Sequence, residues 1–179
     1  MTDMPAGYDQ IIEPVKLFAS VLYCEESYLE KARERLSAVF GPEDHIGNPV
    51  PFDHTGFYEQ EMGGPLNRRF ISYRKLVHQK YLAQAKHKAA GIEGELADEN
   101  KCRRVNIDPG ILDCLKVVLA SFKHQPHKIY LDRGVWADLI LYYRKGGWVS
   151  FEWTFPDFKM GLHDRSLLEI RQIYKCQRQ

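Results

Sequence analysis

The nine residues Val15–Tyr23, VKLFASVLY, restrict the fold more than any other stretch of the chain. Val15, Leu17, Ala19, Val21 and Tyr23 alternate, and Phe18 and Leu22 make the opposite face apolar as well. A strand apolar on both faces needs cover on both faces, so the pattern predicts a central strand between two packed layers. Ser27-x-x-Glu30 follows as a capping box, and Tyr28, Ala32, Leu36, Val39 and Phe40 recur at helical spacing. Gly41-Pro42 then stops the helix.

Further along, residues 43–66 are broken by Gly47, Pro49, Pro51, Gly56, Gly63, Gly64 and Pro65 and read as a loop-rich segment with one helical turn at 55–62. Asn67–Leu76 reads as a strand, and Leu82, Ala85, Ala89, Ile92 and Leu96 as an amphipathic helix. Arg103–Ile107 reads as extended, ending in Asp108-Pro109-Gly110 with type II turn chemistry. Val117–Ser121 is a further strand. Ile129–Leu131, Val135–Tyr143 and Trp148–Trp153 read as a meander with turns at 132–134 and 145–147. Ser166-x-x-Glu169 opens a terminal helix. The expected class is α+β: a mixed, largely antiparallel sheet with helices packed on it, a ferredoxin-like core and a C-terminal β-meander. Residues 1–14 read as a flexible arm and 15–179 as one domain, which a chain of 179 residues can close over a single core.

Composition excludes several functions. A formal charge of +1 gives no global field for nucleic acid or an acidic membrane. No apolar stretch approaches the roughly 20 residues of a bilayer span. Met1-Thr2-Asp3-Met4-Pro5 lacks the basic-then-apolar pattern of a signal peptide, and the scattered Cys24, Cys102, Cys114 and Cys176 have no metal-site spacing. They read as reduced, buried thiols of a cytoplasmic protein. There is no phosphate loop, no G-x-G-x-x-G, no G-x-S-x-G and no H-E-x-x-H.

The polar stretch Pro51–Gly64 has no apolar period and is the first candidate site. Asp53 and Glu61, with Asp108 from the second polar turn, are candidate acid/base carboxylates or hard oxygen ligands for a divalent ion. His54, Tyr58, Arg69, Asn106 and Lys123 are candidate ligand contacts. The competing reading makes Asp53 or Thr55 a helix N-cap and Asp108 a turn-closing residue. Met62–Ile92 contains no Asp or Glu but carries seven Lys and Arg residues. Arg69, beside the Gly63-Gly64 turn, is expected to point into the pocket, and Lys80, Lys86 and Lys88 to be solvated. Trp153–Phe158 reads as an aromatic plug closing the meander.

These residues resemble a prokaryotic family, domain of unknown function 4416. The likeness is carried by Phe52-Asp53 through Tyr58, Glu61-Met62-Gly63, Arg68-Arg69-Phe70, Val105–Gly110, Val117–Ala120 with Lys123, and His127–Leu131. The chain departs from the family pattern at Gly56, Phe57 and Ile111. The resemblance implies a cytosolic prokaryotic protein and no particular activity. The functional expectation is binding of a small anionic or phosphorylated ligand, with or without a divalent ion. The alternative is a non-enzymatic interaction or structural module, a second copy of the chain being one candidate partner. Nucleic acid is disfavoured, and the sequence names no cofactor.

Overall fold

The computed structural model describes residues 12–178 other than 54, 55 and 57. Along the chain these residues form β1 (Val15–Tyr23), α1 (Glu26–Phe40), β2 (Glu43–Ile46), β3 (Val50–Pro51), α2 (Glu59–Met62), β4 (Asn67–Val77) and α3 (Tyr81–Glu95). Then come β5 (Val105–Leu112), β6 (Lys116–Ser121), β7 (Ile129–Asp132), β8 (Val135–Arg144), β9 (Gly147–Ser150), α4 (Pro156–Lys159) and α5 (Asp164–Gln177).

The nine strands make one sheet in the order β2-β4-β1-β5-β6-β8-β7, with β3 beside β4 and β9 beside β8. All of these pairings are antiparallel. The subset β2-β4-β1-β5, threaded β1-α1-β2 then β4-α3-β5, is the ferredoxin-like arrangement, and β6 to β9 extend it as the meander. The α+β class expected from the sequence is therefore the class observed.

All nine residues of β1 are buried. Val15, Leu17, Ala19, Val21 and Tyr23 pack with Leu29, Leu36 and Phe40 of α1 and Leu82, Ala85 and Ala89 of α3. On the other face Phe18 packs with Phe70, Phe158 and the α5 residues Leu167, Ile170 and Tyr174. Burial of side chains of this size stabilises by about 1.5–3 kcal/mol each. Lys16, on the α5 face, is also fully buried and is held by Asp44 and by Gln177 at 2.8 Å.

Several local expectations are corrected. Ser27 does not cap α1, because the helix starts at Glu26 with Glu25 as N-cap. Ser166 lies inside α5 and pairs instead with His45 Nε2 at 2.7 Å. The 43–66 segment contains two short strands, stabilised by pairing with β4 rather than by any pattern of their own. Its helix is Glu59–Met62 with Tyr58 as N-cap, so Asp53 is not the N-cap of that helix, and Thr55 lies outside the described residues. Cys24, Cys102 and Cys114 are free but half-buried, and free Cys176 is exposed, so the thiols are less buried than expected.

The largest correction concerns Asp108-Pro109-Gly110, which is not a turn. β5 runs straight through it, with Asp108 opposite Ser20, Pro109 opposite Ala19 and Gly110 opposite Phe18. Gly110 serves a close approach: a Cβ there would stand 2.2 Å from Cζ of Phe18. Pro109 is tolerated because, from Val105 to Pro109, β5 pairs with β1 alone; its pairing with β6 starts at Gly110. The turns expected in the meander do form. Arg133-Gly134 and Lys145-Gly146 each have two positive φ values, 48° and 75°, then 51° and 89°. Two such residues make the turn type that matches strand twist.

Candidate functional site: the cleft between β5 and β6

Only Gly110–Leu112 and Val117–Leu119 pair across the β5–β6 seam. Where the strands part, a cleft of about 560 Å³ opens, within the usual range for small-molecule sites. Its first wall comes from β5 and α3. Val105, Ile107 and Ile111 belong to the core under α1 and α3, so Asn106 and Asp108 face the other side by alternation. Lys86 rises from α3 and meets them at the open edge of β5, where its Nζ donates to Asp108 Oδ1 at 2.8 Å and to the Ile107 carbonyl at 2.9 Å. Glu93, two helical turns on, accepts from the Ile107 N–H.

A chain of hydrogen bonds continues from there. Asn106 Nδ2 donates to Asp108 Oδ2 at 2.8 Å, and Arg103 Nη1 donates to Asn106 Oδ1 at 2.8 Å. Arg103 grips Glu61 with Nε at 2.8 Å and Nη2 at 2.7 Å, the two-point geometry that makes such pairs strong. This fork ties α2 to the residues just before β5.

The electrostatics follow from burial and pairing. Burial opposes charge on Asp108, but Lys86, Arg68 and Asn106 outweigh it and hold the carboxyl below its ordinary range. Burial also opposes the charge of Lys86, and Asp108 and Glu93 overcome it, so the ammonium titrates higher than usual. Glu93 goes the other way: burial dominates and pushes its pKa up. Two neighbouring carboxyls are thus driven in opposite directions by their surroundings. Burial raises the Tyr58 phenol as well.

The second wall belongs to the meander. Asp138 on β8 is 3 % exposed, with Lys128 Nζ at 3.1 Å and His127 Nε2 at 3.4 Å. Trp153 stacks on the His127 ring at 5.1 Å and donates from Nε1 to the Leu139 carbonyl at 2.9 Å. Phe122 and Phe155, 43 % and 45 % exposed, complete an aromatic lining. The expected core plug is therefore split: Asp157 and Phe158 are buried, while Trp153 and Phe155 line the cleft.

Of the residues singled out in the sequence, Tyr58, Asn106, Asp108 and Lys123 line the cleft, and Glu61 joins its network through Arg103. Asp53 is exposed just beyond β3 and is not among the described lining residues. His54 lies outside the described residues. Arg69 does not point into the cleft. It donates to Glu26 Oε1 at 2.6 Å and to the Gly47 carbonyl at 3.0 Å. Its neighbour Arg68 is the buried arginine, paired with Asp157 and lying over the rings of Phe52 and Phe158. His163 Nε2 donates to the same Asp157 at 2.9 Å. The Gly63-Gly64 turn is the end of α2, Gly63 donating to the Glu59 carbonyl at 3.0 Å with φ 79°.

Lys86, expected to be solvated, is instead buried and paired with Asp108, and Glu93 and Arg103 escaped the sequence reading. For Lys86 and Glu93 a signal existed. Leu82, Lys86, Ala89 and Glu93 follow the 4-3-4 spacing of one helix face, so both charges fall in the apolar stripe of α3. A charge there must find a partner, and both do.

Among the described residues no group of three or more His, Cys, Asp or Glu could hold a metal ion. Nor, among the described residues, is any helix long and apolar enough to cross a membrane. The molecule is thus an α+β protein with a ferredoxin-like core, a meander extension and a polar cleft at the seam between them. The chain belongs to the family described as Domain of unknown function (DUF4416), whose pattern covers residues 13–174. Neither the curated proteins nor the solved structures contain a match to it.

Proposed function

We propose that the cleft binds a small ligand carrying an anionic group, such as a phosphate or carboxylate on a compact polar body. The supporting observation is the charge balance of its lining. Lys86, Arg103, Lys123 and Lys128 stand against Glu93, Asp108 and Asp138 on the lining and Glu61 behind Arg103, four against four, and Lys123 is the exposed one among the four cations. Buried charges are costly, and a scaffold role alone gives no reason to gather them around open space. Tyr58, Phe122 and Phe155 supply apolar surface for the ligand's body. A divalent ion is not carried into this reading. Screening phosphorylated and carboxylated metabolite-sized compounds by thermal shift tests it. A ligand at 100 times its Kd adds about 2.7 kcal/mol of stability, and Lys123→Glu is expected to abolish the response. A panel that leaves the wild-type melting temperature unmoved overturns the proposal.

A second reading, an interaction module, has support of its own. β7 is the terminal strand of the sheet, all four of its residues are exposed, and Ile129 and Tyr130 are 70 % and 54 % exposed. An apolar strand edge of this kind invites strand pairing with another chain. Sedimentation of the wild type and Ile129→Lys tests it, a dimer lost on substitution being the supporting result.

A further inference from the structure

Apart from the cleft, a groove of about 930 Å³ lies between the end of α1, the end of β4, the start of α3 and the β7–β8 turn. The two cavities share no lining residue. The groove's floor is apolar, formed by Leu17, Phe40, Val77 and Ala83, with Val39 and Leu131 as partly exposed shoulders. Its rim carries Lys75, Lys80, Lys88 and Arg133 against the single carboxylate of Asp132, a local charge of +3 with His78 neutral. The whole chain has only +1, so positive charge is concentrated here.

Among the described residues these cations are not held by buried carboxylates as those of the cleft are. Lys75 and Lys80 are exposed, and no carboxylate pairs with either among the described residues. Lys88 donates to the Tyr81 hydroxyl at 3.0 Å. Arg133 stands 3.6 Å from Asp132, with both side chains mostly in water. Crowded lysines raise the local potential, which a bound anion relieves. An apolar floor beneath them leaves water in contact with surface that an apolar chain would cover at about 25 cal/mol per Å².

We infer that this groove binds a single-chain anionic amphiphile, a phosphate or carboxylate head on an aliphatic tail. The head sits among Lys75, Lys80 and Lys88, and the tail lies along Val39, Phe40, Val77 and Leu131. A bare anion meets the rim but leaves the floor wet, and a neutral chain covers the floor but leaves the rim unpaired. The inference is independent of the reading given for the cleft.

The test is titration calorimetry with dodecyl phosphate below its critical micelle concentration. The expected result is one molecule bound per chain, with inorganic phosphate and dodecanol each at least ten-fold weaker. Lys75→Glu/Lys80→Glu removes exposed cations only. It should bind at least ten-fold more weakly while keeping the melting temperature of the unliganded protein. Val39→Glu, on the floor's exposed shoulder, should do the same, and Lys123→Ala in the cleft should bind as the wild type does. Absence of binding by the wild type overturns the inference. Unchanged binding by the double variant also does, since it marks adsorption through the tail alone. Equal affinity for inorganic phosphate overturns the amphiphile, and binding to phosphatidylglycerol vesicles without binding to the monomer overturns the single-chain ligand.

Discussion

Lys86 and Asp108 sit on opposite sides of the sheet's plane and still meet, Nζ to Oδ1 at 2.8 Å, because β5 is paired with β1 on one edge there but has no β6 partner on the other. Lys86 is 6 % exposed and Asp108 27 %, so the pair is buried at one end and reaches the cleft at the other.

That asymmetry sets the cost of breaking it. Lys86→Met leaves a half-buried carboxylate without its main partner. The expected loss is about 2–4 kcal/mol, below the top of the range for buried pairs because Asp108 keeps some solvent. Lys86→Met/Asp108→Asn should recover part of that loss, since the second change removes the stranded charge. Urea unfolding of the two single variants and the double variant measures the coupling.

Gly110→Ala is expected to be among the most damaging small substitutions in the molecule. The added methyl meets the Phe18 ring at 2.2 Å inside the core, where overpacking costs about 1–3 kcal/mol or more. Shrinking the obstacle should help, so Phe18→Leu/Gly110→Ala should be more stable than the sum of the two single effects. Additive losses in chemical denaturation would show that the ring is not what excludes the methyl.

Acid should weaken the fold through Asp157. Burial opposes its charge, but His163 and Arg68 outweigh burial and hold its pKa below the ordinary value. A group whose folded pKa is depressed contributes fully above its unfolded pKa, near 4, and its contribution is lost as pH falls through the lower folded value. Glu61, held low by Arg103, acts in the same direction. Glu93 acts in the opposite direction, because its raised pKa favours the folded state at low pH. Asp157→Asn should be less stable at neutral pH and should show a shallower loss below about pH 4 than the wild type. Urea midpoints between pH 2.5 and 7 would reveal it, and an unchanged acid slope would contradict it.

At Lys145 a better residue than the natural one is available. It holds φ 51° in the β8–β9 turn, a conformation that asparagine adopts more readily. Lys145→Asn creates an Asn-Gly pair ahead of β9 and should stabilise by about 0.5–1 kcal/mol. A melting temperature that fails to rise would count against it.

Elements with an unambiguous period were legible in the sequence. The two-faced run of β1, the helical spacing of α1 and α3 and the glycine turns of the meander are where they were expected, because each encodes its structure locally. β2 and β3 were not legible, since four and two residues carry no period and exist by pairing with β4. Asp108-Pro109-Gly110 misled because local turn chemistry lost to a tertiary demand, room for Phe18. Arg68 and Arg69 are adjacent and face opposite sides of β4, so their roles turned on a strand register that the local sequence does not spell out.

The lacing of the sheet is uneven: β1 and β5 share eight residue pairs, whereas β5 and β6 share three. A laminate parts first along its weakest glue line, and here that line divides the ferredoxin-like half from the meander. Hydrogen exchange should therefore find β6 to β9 opening as a unit while β1, β4 and β5 stay protected. A molecule lodged in the cleft touches both halves and works as a clasp, so occupancy should appear as slower exchange along Lys116–Ser121, far more than as any change of shape.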